Sequence, residues 1–116
     1  MPDRRALVED ELVFYRQARA GGDIAAAWAA LERAHILGQM DWWQHARVHL
    51  LMLGLGLAIG DLREIGGQLF RLVLAVPGSV TGKAPPGNSG RSNISAFLPQ
   101  PIAPDLAAKL NGHPSP

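Results

Sequence analysis

Gly22-Asp23-Ile24 and Gly60-Asp61-Leu62 stand 38 residues apart and open two stretches that read almost as copies. The first stretch carries Leu31 and Arg33, and the second carries Leu69 and Arg71 at the same offsets. Glycine tolerates the turn that ends one helix, and aspartate caps the next with its side-chain oxygen. A repeat of helix, Gly-Asp turn, helix at this period marks stacked helical hairpins. The expected fold class is therefore all-α: two stacked antiparallel helical hairpins, four helices in all, with an extended arm behind them.

Outward from these turns, the helices follow from apolar spacing. Val8, Leu12 and Tyr15 share one face of a helix expected from about Asp3 to Ala20, with Glu9, Arg16 and Arg19 outside that face. A second helix, Ile24 to about Leu37, presents Ile24, Ala27, Trp28, Leu31, Ala34 and His35 as its inner stripe, and Gly38 stops it. The third starts at the N-cap Asp41 and runs to Ile59; beyond His49 it is apolar nearly all round, the pattern of central burial. A fourth is expected to bury Leu62, Ile65, Leu69, Leu72, Val73 and Val76 and to break at Pro77-Gly78. Gly54 and Gly67 fall at one level of this last hairpin, which predicts a close crossing of the two backbones. Residues 1–77 form the four-helix body.

Residues 78–116 read differently, because about half of them are Gly, Pro, Ser or Asn. That composition forbids a long regular element. Ile94, Phe97, Leu98, Ile102, Leu106 and Leu110 are nevertheless spaced through the segment, which a free linker does not need. The reading is an extended arm that packs on the body or on a second subunit. It ends in a short helix with Pro104 near its first position and Asn111-Gly112 as its stop. A body of this size is small for a self-sufficient core, so a homo-oligomer joined through the arm is expected.

Composition removes several function classes. Lys plus Arg number 11 against 10 for Asp plus Glu, a formal net charge of +1, and the basic residues are scattered. Nucleic-acid binding, which neutralises several phosphates at once, is not expected. Absence of cysteine excludes disulfides and thiolate metal sites. The longest apolar run, Leu50 to Gly60, has 11 residues and three glycines, whereas a membrane span needs about 20. With no apolar signal-peptide core near the N-terminus, a soluble cytoplasmic protein is expected.

Catalytic motifs fail on detail. Between Gly78 and Gly82-Lys83 only three residues intervene, and Ala84 stands where a phosphate loop needs a hydroxyl. Gly87-Asn88-Ser89-Gly90 lacks the spacing of a nucleophile elbow and reads as a turn. Trp28 belongs to a core stripe, and only one of Trp42 and Trp43 can point inward; an exposed one would mark a contact surface. No catalytic residue is assigned, and the balance is against an enzyme.

One cluster carries chemistry. Glu32 and His35 are three apart on the second helix, and His45 and His49 are four apart on the third, so each pair shares a helical face. An antiparallel hairpin folded at Gln39-Met40 brings His35 level with His45 and Glu32 level with His49. Three imidazoles and a carboxylate suit a transition metal such as zinc, nickel or iron. The competing reading is structural: His35 as a core histidine bonded to Glu32 or to a carbonyl, and His45 and His49 as a polar seam. His113 is left outside the set.

The chain resembles a bacterial family of uncharacterised proteins, the domain of unknown function DUF3703. The likeness rests on Glu32-Arg33-Ala34-His35-Ile36-Leu37-Gly38-Gln39, on His45 and His49 followed by Met52-Leu53, and on Arg63-Glu64 with Gly67-Gln68. In the arm it rests on Pro86-Gly87-Asn88, Ser95-Ala96-Phe97 and Pro101-Ile102, while Ala103-Pro104 departs from the family's Pro-first order. The resemblance implies no activity. A looser one, to tetratricopeptide hairpins, covers Gly22 to Ala34 and Gly60 to Leu72 and implies hairpin stacking alone. The function expected is a small helical-repeat-like protein holding a metal at Glu32, His35, His45 and His49. The alternative is a protein-interaction or homodimerisation module with neither metal nor catalysis.

Overall fold

The structure, a computed structural model, describes residues 3–112, so His113 lies outside it. Five helices follow one another: α1 (Arg4–Ala20), α2 (Ile24–Gly38), α3 (Trp42–Ile59), α4 (Leu62–Thr81) and α5 (Pro104–Leu110). No strand occurs among the described residues. Helix α1 packs along α2 and α3 along α4, and the two hairpins meet where α2 lies against α3.

The two Gly-Asp turns match atom for atom. Gly22 and Gly60 take φ of 76° and 70°. Asp23 N donates to Ala18 O at 2.9 Å, and Asp61 N donates to Gly56 O at 3.0 Å. These bonds satisfy the carbonyls that each helix end leaves free. Each aspartate then caps the following helix, Asp23 on Ala26 N and Asp61 on Glu64 N. Loss of either cap costs about 1 kcal/mol.

The core lies between α1, α2 and α3 and is closed by α5. Val8, Leu12 and Tyr15 from α1 meet Ala27, Trp28, Leu31, Ala34 and Leu37 from α2, and Val48, Met52 and Leu55 from α3. Leu106 of α5 completes it. A buried carboxylate ties these elements together. Glu11 lies 3.1 Å from Arg33 Nε and 3.6 Å from Lys109 Nζ, and Arg33 also reaches Asp105.

Three expectations about the second hairpin need correction. First, α4 turns its apolar stripe outward: Leu62 is 82% exposed, Val73 74% and Val80 69%, with Leu69 and Val76 also exposed. Its buried face is Glu64, Gln68, Arg71, Ala75 and Ser79. On α3, Leu50, Leu57 and Ile59 likewise face outward, and both Trp42 and Trp43 are exposed.

Second, α4 runs through Pro77 to Thr81 rather than breaking there. Proline removes one backbone bond, a cost of about 3 kcal/mol in a helix interior. The turn beyond is held because Ser79 bonds Gln39 O and the ring of His45.

Third, Gly54 and Gly67 do not face each other. Space beside Gly54 is open, and Gly67 packs under Ser92 of the arm. Gly56 makes the close crossing instead, where an added Cβ would lie 3.3 Å from Cβ of Glu64.

Residues 82–103 lack regular structure and lie over the α2–α4 side of the body. Gln39 Nε2 donates to Pro85 O at 2.6 Å and Arg71 Nη2 to Ile94 O at 2.5 Å. Arg91 sits 4.1 Å over the Trp28 ring, a cation–π contact of about 0.5–2 kcal/mol. Asn88 organises the segment, its amide donating to Ser95 O and Leu98 O while its carbonyl accepts from Gly90 N.

Candidate metal centre

His35 lies one turn before the end of α2, and His45 and His49 occupy successive turns of α3. The tight fold-back between them, with Asp41 N bonded to Gly38 O and Asp41 capping α3, sets the three rings at one level. Nε2 of His35 is 3.1 Å from Nε2 of His45 and 3.1 Å from Nε2 of His49. The ring centroids form a near-equilateral triangle of 4.8, 4.7 and 4.9 Å. All three residues are buried.

The far nitrogen of each ring meets an acceptor. His35 Nδ1 is 2.7 Å from Asn88 O, a carbonyl that can only accept. His45 Nδ1 is 2.8 Å from Ser79 Oγ, whose single hydrogen is directed to Gln39 O. His49 Nδ1 is 2.6 Å from Gln68 Oε1. The orientation of Gln68 follows from its own bonds: its amide nitrogen donates to Glu64 Oε2 and to Gly90 O. Each imidazole therefore carries its proton on Nδ1, and each Nε2 presents a lone pair to the other two.

Neutral rings are what this environment favours. Burial holds His35 well below the usual histidine range, with the rings of His49 and His45 adding to the effect. Burial likewise lowers His45 to about 4 and His49 to about 3. At neutral pH no proton stands between the three nitrogens. The two 3.1 Å separations from His35 Nε2 are close to the roughly 3.3 Å edge of a tetrahedron with metal–nitrogen bonds of about 2.0 Å, and ligand atoms of all three rings lie within 4.8 Å of one another.

Glu32 is not brought to this point. It is half-buried on the neighbouring part of the α2 surface, where Arg91 Nη1 lies 3.7 Å away. Burial raises its pKa, and the Arg91 charge opposes that. Among the described residues the three histidines alone form the cluster, with no carboxylate joining them.

Nothing in the sequence spacing places Gln68, Ser79 and Asn88 behind the three rings. For Gln68 and Ser79 the one legible signal is a stripe of Glu64, Gln68, Arg71 and Ser79 on a helix whose other face is apolar; Asn88 lies outside that helix. Glu64 belongs to the same support: besides Gln68, it holds Arg91 Nε at 3.0 Å and Ser92 N.

A cavity of about 390 Å³ borders the three imidazoles. Its wall is mostly apolar, with Leu74, Ala75, Pro77 and Phe97, and it also includes Gln39 and Arg71. Such surroundings leave one side of the histidine triangle facing free volume rather than a fourth side chain.

Fold and site together define a small helical-hairpin protein with a buried three-histidine centre. The chain belongs to the family described as Protein of unknown function (DUF3703), whose model matches residues 2–110. No curated protein and no solved structure matches it significantly.

Proposed function

We propose that the protein binds one divalent transition metal ion through Nε2 of His35, His45 and His49. The observation that carries this reading is the convergence of three lone pairs, each fixed by an acceptor on the opposite side of its ring. A structural histidine cluster instead shares a proton between rings; here every proton points outward. Carbonyl, hydroxyl and amide partners of this kind orient metal-bound histidines and raise their basicity. Without Glu32, the two-histidine, one-carboxylate set suited to non-haem iron is missing, which favours zinc, nickel or copper. Three protein ligands beside free volume resemble an open centre rather than a closed structural one. Among the described residues the cavity wall offers no carboxylate as a general base, so the reading stops at metal binding.

Elemental analysis of untagged protein, with thermal shift after adding zinc or nickel, tests this. About one equivalent of metal and a raised melting temperature are expected, since an ion bound only by the folded chain stabilises it. A His45→Ala, His49→Ala double variant should lose both responses. If the double variant keeps the metal response of the unaltered chain, the reading is wrong.

A second reading, compatible with the first, is homodimerisation of the stacked, tetratricopeptide-like hairpins. It is favoured by the outward stripe of α4. Leu62, Gly66, Leu69, Val73, Val76 and Val80 recur with alternating spacings of four and three, the seam that a matching helix fills. A second copy carries that same seam, so α4 against α4 is the natural occupant. Sedimentation equilibrium should give a dimer for the unaltered chain and a monomer for Leu69→Glu, Val73→Glu. A monomeric mass for the unaltered chain removes this reading.

A further inference from the structure

Among the described residues, Arg71 is a buried cation beside the histidine cluster that makes no ion pair; Glu64 acts on it only from a distance. Its Nη1 donates to Gly67 O at 3.2 Å and its Nη2 to Ile94 O, both neutral acceptors. Its Nε is buried without a partner. The nearest buried carboxylate, Glu64, is already paired with Arg91 at 3.0 Å. Arg71 lines the same cavity as the three imidazoles. Gln39, another member of the wall, also leaves a buried Oε1 unmatched.

Charge then decides what the cavity takes. Three neutral imidazoles leave a divalent ion its full charge, and the guanidinium adds another in a mostly apolar space. Uncompensated buried charge is unfavourable, and an anion reaching both ion and guanidinium removes most of the penalty. One guanidinium and one open metal position match a single carboxylate, which accepts from arginine in a planar, bidentate manner. The apolar part of the wall, Leu74, Pro77 and Phe97, suits an alkyl body, while Lys83, the other cation on the wall, is exposed and stays hydrated.

We infer that the cavity binds a small aliphatic monocarboxylate, its carboxylate between the metal and Arg71 and its alkyl chain on Leu74, Pro77 and Phe97. This rests on the metal reading above.

The test uses the full chain loaded with cobalt(II), whose visible absorption reports the metal's coordination. Acetate, propionate, butyrate, butyramide and inorganic phosphate are titrated in turn. The carboxylates should change the spectrum saturably and tighten by about fourfold per added methylene. Butyramide should be silent, and phosphate weaker than butyrate. Arg71→Met should keep the cobalt bands and weaken butyrate about tenfold or more.

Equal affinity for acetate and butyrate, a matching response to butyramide, or tighter binding of phosphate would overturn the inference. Cobalt bands that no anion perturbs would overturn it too, leaving the metal reading intact. Absence of the bands overturns both. Should Arg71→Met fail to fold, the chain-length series on the unaltered protein decides.

Discussion

Gly90 shows how closely single residues are set against the three-histidine cluster. It holds φ of 83°, and a Cβ there would lie 2.6 Å from Cδ2 of His35. Its carbonyl also anchors Gln68, which orients His49. Gly90→Ala combines a disfavoured backbone with a clash, so a loss of about 1–3 kcal/mol is expected in urea unfolding, together with weaker metal binding. Gln68→Leu acts on orientation and also removes the donors to Glu64 and Gly90 O. It removes the acceptor for His49 while keeping a side chain of similar size, and should weaken metal affinity by about 10–100-fold. Competition against a chelator of known affinity measures it; an unchanged affinity would show that the amide does not orient the ring. Pairing of His35 with His45 was legible from the fold-back at Gln39-Met40. The replacement of Glu32 by nothing at all was not, because Arg91 and the arm that carries it lie more than fifty residues away in the chain.

Among the elements, α4 departs most from its sequence pattern. The 38-residue repeat aligns Leu31 with Leu69 and Arg33 with Arg71, yet the repeat holds only for the turns. Leu31 is fully buried and Leu69 half exposed, while Arg71 is the more buried of the two arginines. Periodicity places residues on a common face but does not say which way that face points. Leu69→Ala should therefore change the unfolding free energy of the monomer by less than about 0.5 kcal/mol, the range of ordinary surface positions. Leu31→Ala should cost about 2–5 kcal/mol, because it empties a packed core site. Urea unfolding of Leu69→Ala on a Val73→Glu background checks the first value. A multi-kcal/mol loss there would mean that the apolar stripe packs inside the monomer.

Across the whole molecule, the arm and the body complete each other's polar groups. Asn88, Gly90, Pro85 and Ile94 supply carbonyls to His35, Gln68, Gln39 and Arg71. Truncation after Gly82 strands all four, so loss of both metal uptake and the cooperative melt is expected by calorimetry. Acid acts on the same centre. The folded state holds His45 near 4 and His49 near 3, against 6.5 for an ordinary histidine. Between those values the unfolded chain binds more protons, so stability is retained above about pH 6.5 and falls as pH drops below it. Chelator-treated protein should show an unchanged urea midpoint from pH 8 to 7 and a declining one from pH 6 downward. A flat midpoint to pH 4.5 would mean that the rings are less buried than described.

Local chemistry written into the chain determined the helices, the Gly-Asp turns, their aspartate caps and the level at which His35 meets His45, because each depends on neighbours a few residues apart. Tertiary structure alone decided the outward stripe of α4, its passage through Pro77, the separation of Glu32 from the histidines and the acceptors behind all three rings. Those outcomes depend on which distant polar groups α4 and the arm deliver to the buried side, and hydrophobic spacing within a helix carries no record of them.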